Sequence, residues 1–378
     1  MILDEFNKPL YLIGCVNEIG KRQKADNISG LLREPSLEEY VSSKSKNNIT
    51  GYFMQIGIDD FDEINGRFGL KCGDEILKQF SMCMQSCINE NQKIYELGNG
   101  RFMIMDLANH TKEDILELYD ELKKSVEVAL EENAYRIVYT ISVGIVEIDK
   151  EMQDHDTLIK YSEFALNEAK KKGKNSCYFF TQDKYKQFIR RREIRVALQN
   201  AVDHNFKNFD VYYQPIIDIH TRNLIGAEAL MRFKMKRNEQ IEFISPAEFI
   251  PILEESGLII PAGRWILRQA VACCKKWQEF IPEFKVNVNL SYVQIIKSRI
   301  LDEIKQALKD YTLKPALLGI EVTESGYLEN TYHYKKLWSS LKEEGITLIL
   351  DDYGTGYSNA YRLSDLTPHY IKIDRVLT

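Results

Sequence analysis

The sequence has no apolar run approaching the roughly 20 residues that a bilayer-spanning helix needs, and no signal peptide opens it. A cytoplasmic chain is the expectation, and a membrane-bound parent protein remains compatible with it. A basic excess is also missing. Lys and Arg number 50 against 56 Asp and Glu, a net charge of −6, so no nucleic acid polymer is expected as partner, although a local basic pocket is compatible. The seven cysteines (Cys15, Cys72, Cys83, Cys87, Cys177, Cys273 and Cys274) form no CxxC pair and no metal-ligand spacing with histidine. Scattered and odd in number, they read as reduced thiols. What is present is ordinary for a soluble globular protein: 44% hydrophobic and 28% charged residues over 378 positions, enough for two to three domains.

Residues 1–25 read as one strand (9–15) and a charged helical stretch, the tail of something upstream. From there the pattern becomes α/β: a buried strand at 51–58, a helix at 70–87, and a strand pair across 94–105 that turns at Asn99-Gly100, a strong hairpin signal. A helix at 112–130, a strand at 136–146 and a helix at 155–172 complete a domain spanning 26–181. The lysine run at 170–174 suits a solvated helix C-terminus with a glycine stop. Residues 182–205 have helical periodicity and carry Arg190-Arg191-Arg192, expected as a solvated face of a connecting helix.

In the last domain, 206–378, five segments run apolar and stop on a polar group: 225–228, 284–289, 317–321, 347–352 and 370–372. Amphipathic stretches lie between most of them. A TIM-like β/α barrel reads this way, with its chemistry where strands end. Glu228, Asn289, Glu321, Asp351, Asp352 and Lys372 would then share one rim. One acidic strand end serves solubility; polar groups at five successive ends, three of them acidic and one a lysine, need another account. Two carboxylates 4 Å apart repel by about 4 kcal/mol at an effective dielectric near 20, so the group calls for a cation. All-oxygen donors without cysteine or histidine suit Mg²⁺ or Mn²⁺, a common device for phosphoester hydrolysis. Lys372 would neutralise phosphate charge or position the nucleophile, and Arg232, four residues after Glu228, is a natural phosphate clamp.

These residues resemble the EAL family, the cyclic-di-GMP phosphodiesterases. The likeness is carried by Glu228-Ala229-Leu230-Met231-Arg232, Tyr213-Gln214-Pro215-Ile216, Phe249-Ile250-Pro251 with Glu254 and Gly257-Leu258-Ile259, and Asn287-Val288-Asn289-Leu290-Ser291. It continues through Glu321-Val322-Thr323-Glu324-Ser325, the run from Asp351 to Ser358, and Ile371-Lys372-Ile373-Asp374. The resemblance implies metal ligands at Glu228, Asn289, Glu321, Asp351 and Asp352. It implies a lysine beside the catalytic water at Lys372, dinucleotide contacts at Gln214 and Arg232, and loop support from Glu324. It also implies two further strand–helix units after residue 378, holding a glutamate general base and a glutamine. The chain is thus expected to be cut from a longer parent, with six of eight barrel strands present.

The first domain resembles GGDEF, an α+β nucleotide-cyclase-like fold. Asp26-Asn27-Ile28-Ser29-Gly30-Leu31, Phe61, Ile64-Asn65, Phe68-Gly69, Gly73-Asp74, Ile141-Ser142-Val143-Gly144 and the 169–175 stretch match it. Its signature hairpin departs: Gly98-Asn99-Gly100-Arg101-Phe102 puts Gly100 and Arg101 where the family has two acids, and Gly57 where it has a metal-binding aspartate. The family's product-inhibition motif would fall at 89–92 and is absent. Cyclase activity is not expected. Asn65 and Asp74, guanine contacts in the family, survive, which allows GTP as a regulator or a purely structural turn and helix cap. Residues 1–25 resemble the end of a PAS-like sensor. The expected function is metal-dependent hydrolysis of cyclic-di-GMP to linear pGpG, in a homodimer. The alternative is a non-catalytic module that binds cyclic-di-GMP or GTP.

Overall fold

The computed structural model describes residues 2–3, 9–11, 25–45, 50–108, 110–131, 137–149, 154–237, 239–323, 331–354 and 368–374. The chain divides into two compact units, 1–186 and 187–378. No helix among the described residues is long and apolar enough to cross a membrane. The first unit contains β1 (Ile2–Leu3), β2 (Pro9–Tyr11), β3 (Leu32–Arg33), α1 (Glu34–Ser45), β4 (Gly51–Ile58), α2 (Phe61–Phe68), α3 (Leu70–Cys87) and β5 (Gln92–Gly98). It continues with β6 (Arg101–Asp106), α4 (Lys112–Glu131), β7 (Ile141–Ile148), α5 (His155–Lys171) and β8 (Cys177–Phe179). Six strands form one sheet in the order β3-β5-β6-β4-β7-β8.

Central strand β4 is buried along its whole length because both sheet faces are covered. Tyr52, Met54, Ile56 and Ile58 alternate into a core shared with α3 and α4. Phe53 points the other way, into a core with Leu37, Val41, Val146 and Leu158. The one polar side chain of that strand, Gln55, accepts a hydrogen bond from Ser162 Oγ at 2.8 Å, as a buried amide must. The hairpin turns at Asn99 and Gly100 as expected, with φ of 52° and 68°. The expected strand at 136–146 begins instead at Ile141. Its ladder with β4 ends at Ile58↔Ile141, and Asp59 then turns the chain with its N–H on Thr140 O, so residues 137–140 have no partner strand. Asp74 lies one turn inside α3, which begins at Leu70 after Gly69, so it is not a helix cap.

Helix α6 (Gln182–Asp203) spans the division. The second unit continues with β9 (Phe209–Ile217), β10 (Leu224–Arg237), β11 (Gln240–Ile244), α7 (Pro246–Ser256), α8 (Ile259–Trp277), β12 (Lys285–Asn289), α9 (Tyr292–Lys297) and α10 (Ile300–Asp310). Then follow β13 (Leu318–Thr323), α11 (Thr331–Glu343), β14 (Thr347–Tyr353) and β15 (Tyr370–Ile373). Their sheet runs β11-β10-β12-β13-β14-β15, with β9 also on β10. Strands β10 and β12 to β15 are mutually parallel, whereas β9 and β11 are antiparallel to β10. The arrangement is consistent with a TIM-like barrel, with an antiparallel opening strand. The arginine run is not simply solvated: Arg190 pairs with Glu242 and Glu248, and Arg191 with Glu255.

Two consequences for the first unit are measurable. A methyl at Gly144 would lie 2.2 Å from Leu166 N and 2.3 Å from Ser162 O, both backbone atoms of α5, so helix and sheet must separate. Gly144→Ala should cost about 1–3 kcal/mol or more, seen as faster hydrogen exchange in 51–58 and 141–148; unchanged exchange there would refute the close packing. Second, although burial pushes Asp26 up, Arg33 and the N–H groups of Ser29 and Ile28 outweigh it and hold its carboxyl at about 2. A depressed folded pKa stabilises above the unfolded value near 4 and loses that contribution as pH falls toward 2. Asp26→Asn should therefore be less stable than the parent at pH 6, by about 1–2 kcal/mol given the half-exposed arginine. The difference should close near pH 2 in parallel chemical denaturation curves.

Candidate metal centre and ligand pocket

Period-two alternation places the chemistry. In β12, Val286 and Val288 are buried toward the helices while Asn287 and Asn289 face the other side. On β13, Leu318, Ile320 and Val322 pack outward, leaving Gly319 and Glu321 on the same face as the two asparagines. Cross-strand register aligns Glu228 with Asn287, Asn287 with Gly319, and Asn289 with Glu321. Glu228 lies near the end of the parallel ladder between β10 and β12, although β10 itself runs on to Arg237.

Glu228, Glu321 and Asp351 each bring a carboxylate oxygen within 4.8 Å of the other two. The Lys372 ammonium donates to all three, at 2.8 Å to Glu228, 2.8 Å to Glu321 and 3.0 Å to Asp351. Asn289 Nδ2 donates to Glu228 at 2.7 Å, and Asn287 Nδ2 donates to Glu321 at 2.8 Å. Burial, then the charge of Glu228, pushes the fully buried Glu321 carboxyl up to about 7, against the pull of Lys372. Burial alone would lower Lys372, but Glu228 and Glu321 prevail and hold its ammonium above the usual lysine range. Asp352 follows in a left-handed conformation, φ 54°, and lies outside that triad. Partial burial and neighbouring Asp351 push its carboxyl up.

This donor set fits a hard divalent ion. It is all oxygen, it converges within reach of one ion, and it already holds a positive group bonded to every carboxylate. One ammonium among three carboxylates leaves the cluster net negative, which favours a second or stronger positive charge. The residues where GGDEF proteins bind metal do not fit one. Gly57 lies beside the Lys170 ammonium, and a methyl there would sit 3.0 Å from Nζ. Its strand partner is Arg101, whose guanidinium pairs with Glu163.

Beside the triad opens a cavity of about 700 Å³, lined in part by Arg232, Glu254, Asn289, Tyr292, Glu321 and Asp352. Arg232 shares the Glu228 face of β10, donates to Met231 O and lies 5.5 Å from the Tyr212 ring centroid. Gln214 is exposed directly opposite Glu228 on β9. Glu324 and residues 355–358 of the following loop lie outside the described residues. In the first unit, Asn65 Oδ1 is buried without a hydrogen-bond partner, and Asp74 is exposed. Sequence reasoning missed Asn287 and the Ser291 turn; two polar residues two apart within Lys285–Asn289 are the signal for the first.

The EAL domain family matches residues 195–378, and the diguanylate cyclase GGDEF domain family matches 24–176. The chain belongs to the tandem GGDEF–EAL proteins. It is 31% identical over 333 residues to the signaling protein YkoW of Bacillus subtilis, covering 87% of this chain and 40% of that protein. To the cyclic di-GMP phosphodiesterase PdeR of Escherichia coli it is 28% identical over 360 residues, covering 93% and 52%. The solved PaMucR phosphodiesterase in complex with c-di-GMP is 30% identical, over 49% of this chain and 73% of that one, at a TM-score of 0.45. The chain therefore spans about half or less of the curated relatives named here.

Lys372 offers a direct check on the charge balance. Lys372→Met leaves three carboxylates facing one another and should cost about 1–3 kcal/mol without divalent ions. Trp265, Trp277 and Trp338, the chain's three tryptophans, all lie in the second unit, so fluorescence-detected melting reports it. Millimolar Mg²⁺ should restore more of the lost midpoint in the variant than it adds to the parent. A midpoint equal to the parent's without metal would contradict the arrangement.

Proposed function

We propose that the second unit hydrolyses one phosphodiester of cyclic-di-GMP, giving linear pGpG, and that the first unit is a regulatory GGDEF domain without cyclase activity. The single supporting observation is the oxygen cluster of Glu228, Glu321 and Asp351, within 4.8 Å, at the wall of a cavity that also holds Arg232. Glu228, Asn289, Glu321, Asp351 and Asp352 would hold Mg²⁺ or Mn²⁺. Such an ion lowers the pKa of water and offsets charge on phosphate oxygens.

The chain's own residues supply the rest. Lys372, fixed among the three carboxylates, holds a positive charge where the nucleophilic water and scissile phosphate meet. Arg232 and Gln214, on the Glu228 face of two paired strands, orient the dinucleotide. Glu324 supports the loop that follows β14. Tyr292 gives the cavity an aromatic surface against which a purine can lie. In the first unit, Gly100, Arg101 and Gly57 stand where the family has acids, and the Lys170 ammonium lies beside Gly57, which removes the means of binding the ion a cyclase uses. The unpartnered Asn65 Oδ1, with Asp74, supports retained guanine binding, hence GTP as regulator. A homodimer belongs to the same reading.

The test is incubation of the chain, and of a version extended to its natural stop codon, with cyclic-di-GMP and Mg²⁺ or Mn²⁺. Production of pGpG that falls at least about 100-fold in Glu228→Ala supports hydrolysis. Tight binding of the dinucleotide without pGpG from either version replaces this reading with that of a binding module.

A further inference from the structure

Resting on the metal-site reading above, we infer that Glu254 is a positioning residue that holds the Asn289 turn in place from the neighbouring helix. Strand β12 ends at Asn289, whose amide bonds Glu228. The next residue, Leu290, donates its N–H to Glu321 O at 2.9 Å, and Ser291 then caps α9. These three residues carry the chain past the carboxylate triad. A turn so close to the site has to be kept from moving, because an amide displaced by about 1 Å loses its ligand geometry.

One hydroxyl ties the turn to the neighbouring helix. Ser291 Oγ donates to a Glu254 carboxylate oxygen at 2.6 Å and accepts from Val293 N at 3.2 Å. Ser291 N–H donates to Gln294 Oε1 at 3.2 Å, closing a capping box. Gln294 is itself 2% exposed and lies against Gly263 of α8, where a methyl would come 2.1 Å from its Nε2. A hydroxyl has one proton. By accepting it, Glu254 fixes the Ser291 rotamer and leaves the oxygen's lone pairs for the helix N–H. Helix α7 is a firm post for this purpose: Arg190 takes its Glu248 in a two-pronged hydrogen bond, and Arg191 takes Glu255, the residue after Glu254. Glu254 thus acts on the ion through Ser291 and Asn289, as outer partners of metal ligands do.

Four variants of the full chain test this: Glu254→Ala, Glu254→Gln, Ser291→Ala and the double alanine variant. Mn²⁺ affinity is read by calorimetry, and backbone exchange across 287–294 by mass spectrometry without metal. Glu254→Ala and Ser291→Ala should each weaken Mn²⁺ binding about tenfold or more. The double variant should be no worse than the poorer single, because both remove one bond. Glu254→Gln keeps an acceptor oxygen and should stay within about threefold of the parent, with parental exchange. Faster exchange in Glu254→Ala that Glu254→Gln restores supports the inference whether or not Mn²⁺ binds. Parental exchange in Glu254→Ala, additive losses, or a Gln variant as poor as Ala would overturn it. A parent chain that binds no Mn²⁺ sinks the metal-site reading instead, and exchange still decides the role of Glu254.

Discussion

Like charges cannot share a small buried space unless something positive joins them, and the second unit is built around that constraint. Glu228, Glu321 and Asp351 come from β10, β13 and β14, with β12 lying between the first two of these. A fourth strand, β15, brings Lys372 to all three. The neighbouring elements serve this meeting. Asn287 and Asn289 supply amide donors from the strand that separates Glu228 from Glu321. Gly319 is bare because a methyl there would come 2.3 Å from Asn287 Oδ1. The buried aliphatic faces of β12, β13 and β14 keep each strand's polar face turned to the same side.

The order of strands and the identity of the clustered residues were legible because parallel strands buried on both sides read as short apolar runs with a polar stop. Four of the five runs lie at or beside described strands with similar bounds. The fifth, at 225–228, is the opening of a strand of 14 residues. Beyond Glu228 that strand alternates Ala229, Met231 and Phe233, buried in the same core as the apolar faces of β12 and β13, with Leu230, Arg232 and Lys234. This is the signature of an antiparallel partner, and it was masked by the expectation of a uniformly parallel barrel. The strands Phe209–Ile217 and Gln240–Ile244 were overlooked for the same reason. Hydrogen bonds that run between elements, such as Glu254 to Ser291 across 37 positions, leave no periodic trace. The arginine run at 190–192 was read as solvated because charge patterning reports the helix alone and not the acidic residues opposite it.

The first unit's fold rests on contacts that lie apart from its hairpin. Its sheet, its close helix contact at Gly144 and its turn at Asp26 depend on packing and local hydrogen bonds, and none of these needs an ion. Lys170 lies beside Gly57, and Arg101 pairs with Glu163.

Gly100, at the bend of that hairpin, is confined by what packs against it. Its φ of 68° suits glycine, and a β-carbon there would come 2.7 Å from the Phe61 ring. An acid at this spot would meet a steric wall, although the Arg101 guanidinium beside it would attract its charge. What can occupy this bend is therefore set by the room beside an aromatic ring, whatever charge the newcomer carries.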